Sequence, residues 1–101
     1  MGILNIVDFI PDGLDNAVSQ KQLCDMTHLS DREVRQAIEN ARRQGAPICS
    51  SCHSDNFGYY MPKTKYEATI YLTMQQRRIN SAIQAMKPVQ DALSNLPEYE
   101  I

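Results

Sequence analysis

The sequence lacks a long hydrophobic run. No stretch approaches the roughly 18 consecutive apolar residues that a membrane-spanning helix needs, so we expect no membrane partner. Residues 1–12 contain neither a basic region nor a small-residue cleavage site, which predicts that no secretory signal is present. The expected location is therefore the cytoplasm.

Cysteine and histidine are also scarce. The chain has 3 cysteines, an odd number, and no secretion signal is visible, so a disulfide framework is not expected. It has 2 histidines, no glycine-rich phosphate loop and no paired-carboxylate motif. These absences predict that the protein is not an enzyme and carries no cofactor.

An excess of basic charge is missing as well. Ten Lys and Arg stand against 12 Asp and Glu, a formal charge of −2, which argues against a protein that coats nucleic acid by charge alone. The charge is nevertheless uneven, with sums of −3 over residues 1–18, +1 over 19–44, +3 over 64–87 and −3 over 88–101. Any contact with DNA is therefore expected from the middle of the chain.

The 101 residues, 43% of them hydrophobic, are enough for one modest globular domain. The apolar spacing over residues 3–10 fits a helix, although its β-branched content leaves a strand possible. Ser19 with Gln22 has capping-box spacing and predicts the start of a second helix.

The third predicted helix, residues 30–44, has the strongest local signal. Ser30 and Glu33 have capping-box spacing, and Gly45 is a natural stop. Apolar residues recur at helical spacing along one side of it. They are Val34, Ala37, Ile38 and Ala41.

Two short β-prone segments within residues 48–61 predict a hairpin. Thr64 and Glu67 predict the start of a last helix, which could run to about Lys87, where Pro88 interrupts or kinks it. This helix carries a partial heptad pattern of apolar residues. They are Leu72, Ile79, Ala82, Met86, Val89, Leu93 and Leu96.

The order helix, helix, tight turn, helix, hairpin predicts a mainly α fold with a small β-hairpin. Specifically, we predict a winged helix-turn-helix domain over residues 1–63, followed by a long C-terminal helix and acidic tail over residues 64–101. The heptad pattern favours packing or dimerisation through that helix, and we expect a homodimer.

Four segments carry a resemblance to a known family. They are Ile10-Pro11-x-Gly13-x-x-Asn16-Ala17, Leu29-Ser30-Asp31-Arg32-Glu33-Val34-Arg35, Ala41-Arg42-Arg43-x-Gly45-x-Pro47-Ile48-Cys49-Ser50, and Gly58-Tyr59-Tyr60. Over residues 3–62 the chain resembles the small winged-helix DNA-binding proteins of bacteriophages and prophages. The resemblance implies a DNA binder that regulates phage transcription or replication in a bacterial host cell.

In such a fold the third helix enters the major groove of double-stranded DNA and the hairpin acts as the wing. Arg can form paired hydrogen bonds with guanine, and Gln with adenine. The helix N-termini are suited to phosphate. The predicted DNA-binding residues are Ser19, Lys21 and Ser30 near helix starts, Arg32, Arg35, Gln36, Glu39, Asn40 and Arg43 on the third helix, and His53 and Asn56 in the wing.

Three other interpretations are weaker. Cys49 to His53 matches the haem-attachment string, but that chemistry needs an oxidising export compartment. A Cys3His zinc site would form if the fold brought together Cys24, His28, Cys49 and Cys52. The simpler interpretation is that these are small residues packed in the fold. We therefore predict no metal. A third possibility is an aromatic platform for single-stranded nucleic acid. It would consist of Tyr59, Tyr60 and Tyr66.

Two classes of function therefore remain open. The first is a sequence-specific DNA-binding protein. The second is a winged-helix module that binds a host or phage protein without binding DNA, which the near-neutral charge and the acidic ends favour. Affinity for DNA that falls steeply with salt separates the two.

Overall fold

A computed structural model describes residues 5–52 and 57–99. The described part is mainly helical, at 63%, with a small two-stranded antiparallel sheet and a long C-terminal helix. The chain divides into two compact units, residues 1–71 and 72–101. The boundary predicted after residue 63 differs from this division by 8 residues, because the first residues of the last helix, Lys65 to Tyr71, belong to the N-terminal unit.

The N-terminal segment forms a short 3-10 helix, Ile6–Phe9, rather than the longer helix or strand that its spacing suggests. The Asn5 side chain caps it by accepting a hydrogen bond from the Val7 N–H at 3.1 Å. Ile6 and Ile10 are buried, so the apolar spacing still serves the core. A second 3-10 turn, Leu14–Asn16, follows.

Two of the three predicted capping boxes are complete, and they start the next two helices. Helix α1 is Gln20–Thr27, and Ser19 and Gln22 form its box with distances of 3.1 and 2.8 Å. Helix α2 is Asp31–Arg43, and its box is formed by Ser30 and Glu33. The turn between the helices is tight because His28 adopts a left-handed conformation, with φ of 62°.

The core lies between the 3-10 helix, α1, α2 and the sheet. Leu23 of α1 and Val34 of α2 have no exposed surface, and Ile38 is 2% exposed. The apolar stripe predicted on the third helix therefore faces the core, which leaves the opposite side of α2 exposed. Ile48, at the entry to the sheet, belongs to the same cluster.

The predicted hairpin is formed by β1, Cys49–Ser51, and β2, Gly58–Tyr60. The strands are antiparallel, with Cys49 opposite Tyr60. The other edge of β2 is covered by the segment before α1, which the sequence did not predict. Val18 and Tyr59 exchange two backbone hydrogen bonds of 2.9 and 2.7 Å, so β2 is paired on both sides.

Helix α3, Lys65–Leu93, is longer than predicted. The expected end near Lys87 is wrong, because the helix continues through Pro88 to Leu93. Proline withholds one backbone donor, and the turns on either side remain helical.

The capping box predicted at the start of α3 is only half present. The Thr64 hydroxyl accepts from the Glu67 N–H at 3.2 Å, as expected. The Glu67 carboxylate, however, accepts from the Lys63 N–H at 2.7 Å and from the Leu14 N–H at 3.0 Å instead of returning to Thr64. One carboxylate therefore ties the start of α3 to the second 3-10 turn.

These hydrogen bonds make the N-terminal unit sensitive to acid. Backbone N–H donation from Lys63 and Leu14 lowers the pKa of Glu67 below its usual value of 4.5. Because the folded-state pKa is the lower one, the stabilisation is complete above pH 4.5 and is lost as the pH falls through the folded-state pKa. We expect Glu67→Gln to lower the free energy of unfolding at pH 7. In acid, the difference in free energy of unfolding between this variant and the wild type should disappear.

Urea denaturation at several pH values measures this difference. Asp8→Asn is the control, since the Asp8 side chain is exposed and makes no hydrogen bond with the described residues. A gap between wild type and Glu67→Gln that does not change between pH 7 and pH 3 would contradict the assigned role of Glu67.

Candidate nucleic-acid interface

The outer face of α2 is the main candidate site. It consists of six predicted residues, all exposed: Arg32, Arg35, Gln36, Glu39, Asn40 and Arg43. These six side chains are exposed to solvent because Val34, Ile38 and Ala41, on the opposite side of the helix, are buried in the core. A capped, 13-residue helix anchored in this way presents a rigid polar surface.

The two halves of the outer face differ in their internal contacts. In the C-terminal half, Gln36 Nε2 donates to Asn40 Oδ1 at 3.1 Å, and Arg43 Nη2 pairs with Glu39 Oε1 at 2.6 Å. In the N-terminal half, neither Arg32 nor Arg35 forms a hydrogen bond or ion pair with residues 5–52 or 57–99. The guanidinium groups of this half are thus the ones available to a ligand.

The residues predicted to hold phosphate lie at helix starts. Ser19 is half-buried and Ser30 is exposed, and each hydroxyl accepts a backbone N–H of its own helix. Each hydroxyl hydrogen is still available to donate to an anion. Lys21 is exposed in the first turn of α1. The predicted wing residues His53 and Asn56 lie outside the described residues.

Gln20 is a positioning residue that sequence reasoning missed. Its Oε1 accepts from the Tyr59 hydroxyl at 3.3 Å, and its Nε2 donates to the Asp31 carbonyl at 2.9 Å. One side chain therefore links β2 to the first residues of α1 and α2. No sequence signal could have identified it, because Tyr59 lies 39 residues away in the chain.

Arg42 is also missing from the predicted set, and the structure places it away from the outer face. Its Nε donates to the Ile48 carbonyl at 3.0 Å, and its guanidinium lies 5.7 Å from the centre of the Tyr71 ring. Its Nη2 atom is buried and has no hydrogen-bond partner among the described residues. Arg42 therefore stabilises the contact between α2, β1 and the start of α3, and only its neighbour Arg43 is exposed.

The four residues of the alternative zinc site do not come together within the described residues. No group of three or more His, Cys, Asp or Glu in residues 5–52 and 57–99 could hold a metal ion. Cys49 is buried opposite Tyr60, and Cys24 Sγ donates to Asp31 Oδ1 at 3.2 Å. The set of Cys24, His28, Cys49 and Cys52 is thus split between α1 and β1.

Burial also keeps these groups neutral. It raises the pKa of the Cys49 thiol and, together with the neighbouring Cys49, the pKa of Tyr60 to about 12. Partial burial and the Asp31 carboxylate raise the pKa of Cys24 as well.

The aromatic platform considered as a third interpretation lacks Tyr60, because this side chain has no exposed surface. Tyr59 is half-buried with its hydroxyl bound to Gln20, and only Tyr66 is largely exposed, at 74%. Stacking needs several exposed ring faces in a row. These three rings do not provide them.

Comparisons with protein-family models, with curated proteins and with solved structures found no match for this chain. Among the described residues, none of the helices is long and apolar enough to cross a membrane.

Proposed function

We propose that the protein is a sequence-specific double-stranded DNA-binding protein with a winged helix-turn-helix domain. The observation that carries the proposal is the outer face of α2, an exposed row of Arg, Gln and Asn on a helix whose other side is in the core. The tight turn from α1 and the hairpin after α2 are the elements that such a domain needs around its recognition helix.

Base contacts are assigned to the N-terminal half of the outer face. In helix-turn-helix proteins the first residues of the recognition helix reach the base edges. Arg32 and Arg35 lie there with no competing partner in the described part of the chain. Each guanidinium can form two hydrogen bonds with a guanine edge. Gln36 can turn from Asn40 to an adenine.

Backbone contacts are assigned to the helix starts and the wing. The Ser19 and Ser30 hydroxyls and the Lys21 ammonium are suited to phosphate oxygens. Arg43 and Asn40, farther along α2, also reach the backbone in this arrangement. The wing residues His53 and Asn56 complete the proposed contact surface.

The biological role that we propose comes from the family resemblance. It is regulation of phage or prophage transcription or replication in the cytoplasm of a bacterial host. The acidic N-terminal segment and the Glu39 carboxylate repel phosphate, so we expect weak non-specific binding and specificity carried by few side chains.

Removing both arginines should abolish specific binding. A binding site is first selected from a random duplex library with the wild-type chain. We then expect Arg32→Ala/Arg35→Ala to weaken binding to that site by about 30-fold or more, since each bidentate base contact contributes about 1–3 kcal/mol. Binding is measured by fluorescence anisotropy at fixed salt.

Two further variants separate base reading from charge. Lys63→Ala/Lys65→Ala removes the same charge from exposed positions outside the interface and should leave specific binding nearly unchanged. Arg32→Lys/Arg35→Lys keeps the charge but loses the planar fork, so it should retain non-specific affinity and lose discrimination. The assignment would be contradicted if Arg32→Ala/Arg35→Ala and the control that removes two lysines lost equal affinity for the selected site.

The second candidate function is a module that binds a host or phage protein. The ion pair between Glu39 and Arg43 favours it, because half of the outer face is already electrostatically satisfied. Failure to select any DNA sequence, together with no affinity for DNA at low salt, would support this candidate over the first.

We also propose that the chain forms a homodimer through the α3 seam, which we define by six residues at heptad spacing. Five of the six side chains are large, and these are between 51% and 69% exposed. A row of exposed apolar side chains at this spacing is typical of a helix that pairs with another helix. The seam consists of Ile79, Ala82, Met86, Val89, Leu93 and Leu96.

A further inference from the structure

The basic and acidic residues of the C-terminal unit are separated at the midpoint of the α3 seam. All its basic residues, Arg77, Arg78 and Lys87, come before residue 88, and all its acidic residues, Asp91, Glu98 and Glu100, come after it. The six seam residues, between positions 79 and 96, are uncharged, and Lys87 and Asp91 lie between them in the chain. The N-terminal half of the unit is therefore +3 and the C-terminal half is −3.

This distribution is complementary to a second copy of itself that runs in the opposite direction. An antiparallel pair places the basic half of each helix beside Asp91 and the C-terminal end of its partner, where Glu98 follows the helix end at Leu93. Charge complementarity of this kind sets the register and orientation of paired helices. A parallel pair would place basic beside basic and acidic beside acidic.

The side-chain sizes along the seam have the same symmetry. When two copies pair antiparallel about the point between residues 87 and 88, Met86 meets Val89, and the small Ala82 meets the large Leu93. The same register brings Ile79 level with Leu96, which lies three residues beyond the helix end. Each layer then has a similar volume, which interior packing favours. In a parallel pair Ala82 would face the Ala82 of the second copy, so this layer would have a smaller side-chain volume than the layers on either side.

Pro88 is placed where it does not obstruct this contact. It lies about 200° around the helix from Met86 and about 100° from Val89, so its ring is outside the seam. A proline ring in the seam would interrupt the knobs-into-holes packing, whereas outside the seam it leaves the packed side chains unobstructed.

We propose that two copies of this chain pair antiparallel through the α3 seam, centred between residues 87 and 88. The inference rests on the self-association proposed above and adds its direction and register. The two α3 N-termini then lie at opposite ends of the paired helices instead of side by side.

Distances between spin labels distinguish the two directions. Thr73 and Gln84 are exposed and lie on the side of α3 away from the seam. Each is changed to cysteine and labelled in a chain that carries Cys24→Ser, Cys49→Ala and Cys52→Ser. An antiparallel dimer separates the two position-73 labels by about 44 Å along the helix axis and the two position-84 labels by about 10 Å.

A parallel dimer would instead give short and nearly equal distances at both positions, and that result would overturn the proposal. Sedimentation that finds only monomers at high concentration would overturn both the antiparallel pairing and the self-association on which it rests. Neither outcome bears on the Arg32 and Arg35 experiment, whose readout is DNA affinity.

A charge-reversal variant tests the direction in the chain with its natural cysteines. Arg77→Glu/Arg78→Glu turns the basic half acidic, so an antiparallel dimer should dissociate at least about fivefold more readily at low salt. A parallel dimer would become tighter, because repulsion between its basic halves is removed. The control, Arg32→Glu/Arg35→Glu, makes the same change of charge in the N-terminal unit and should leave dimerisation unchanged. A tighter Arg77→Glu/Arg78→Glu dimer would overturn the proposal.

Discussion

Replacing Gly58 with alanine should cost about 4 kcal/mol or more of unfolding free energy, a large part of the stability of a small domain. Gly58 begins β2 with φ of 139°, a conformation that side chains rarely adopt. A Cβ at this position would overlap the backbone carbonyl of Val18. That carbonyl accepts the Tyr59 N–H at 2.7 Å, so strain, overlap and lost hydrogen bonds act together.

Gly45→Ala is the matched control for Gly58→Ala. Gly45 also has positive φ, 105°, but nothing lies within 4 Å of a Cβ built there. This variant should show the conformational strain alone, about 1–2 kcal/mol. Urea denaturation followed by circular dichroism measures both. The close approach of β2 to Val18 would be contradicted by equal losses in the two variants.

Replacing Tyr60 with alanine should cost about 3–5 kcal/mol, because truncating a large buried ring leaves a cavity. Tyr60 has no exposed surface and is the largest fully buried side chain among the described residues. It lies opposite Cys49 across the sheet and donates its hydroxyl to the Glu67 carbonyl at 3.3 Å. The ring therefore joins β1, β2 and the first turn of α3.

Two substitutions separate the contributions of the ring and the hydroxyl. Tyr60→Phe keeps the ring and loses one hydrogen bond, so we expect a loss of about 1 kcal/mol. Tyr66→Ala removes a ring that is 74% exposed and should change stability by about 0.5 kcal/mol or less. Thermal and urea denaturation measure all three variants. A Tyr60→Ala loss no larger than that of Tyr66→Ala would show that the ring does not hold the unit together.

Much of the candidate interface could be predicted because its signals are local. The capping residues Ser19 and Ser30 act within three positions of their partners, and the stripe from Val34 to Ala41 lies within two turns. Together they set where α2 begins and which side of it is buried. The exposed position of Arg32 and Arg35 follows directly from that orientation.

The predictions that failed depend on chain context beyond the local pattern. A helix or a strand was expected over residues 3–10, but the β-branched residues and the Asn5 cap produce only a short 3-10 helix there. The last helix was expected to run to about Lys87, with Pro88 interrupting or kinking it, yet it continues to Leu93.

The sequence alone determined the starts of α1 and α2, the hairpin and the exposed face of α2, since each depends on residues a few positions apart. Only the tertiary structure decided which polar side chains are available to a ligand. Arg42 and Arg43 are adjacent, but Arg42 is held by Ile48 and Tyr71 while Arg43 is exposed. Gln20 and Glu67 find partners 39 and 53 positions away, and such pairings exist only after the chain has folded, because folding brings distant segments together.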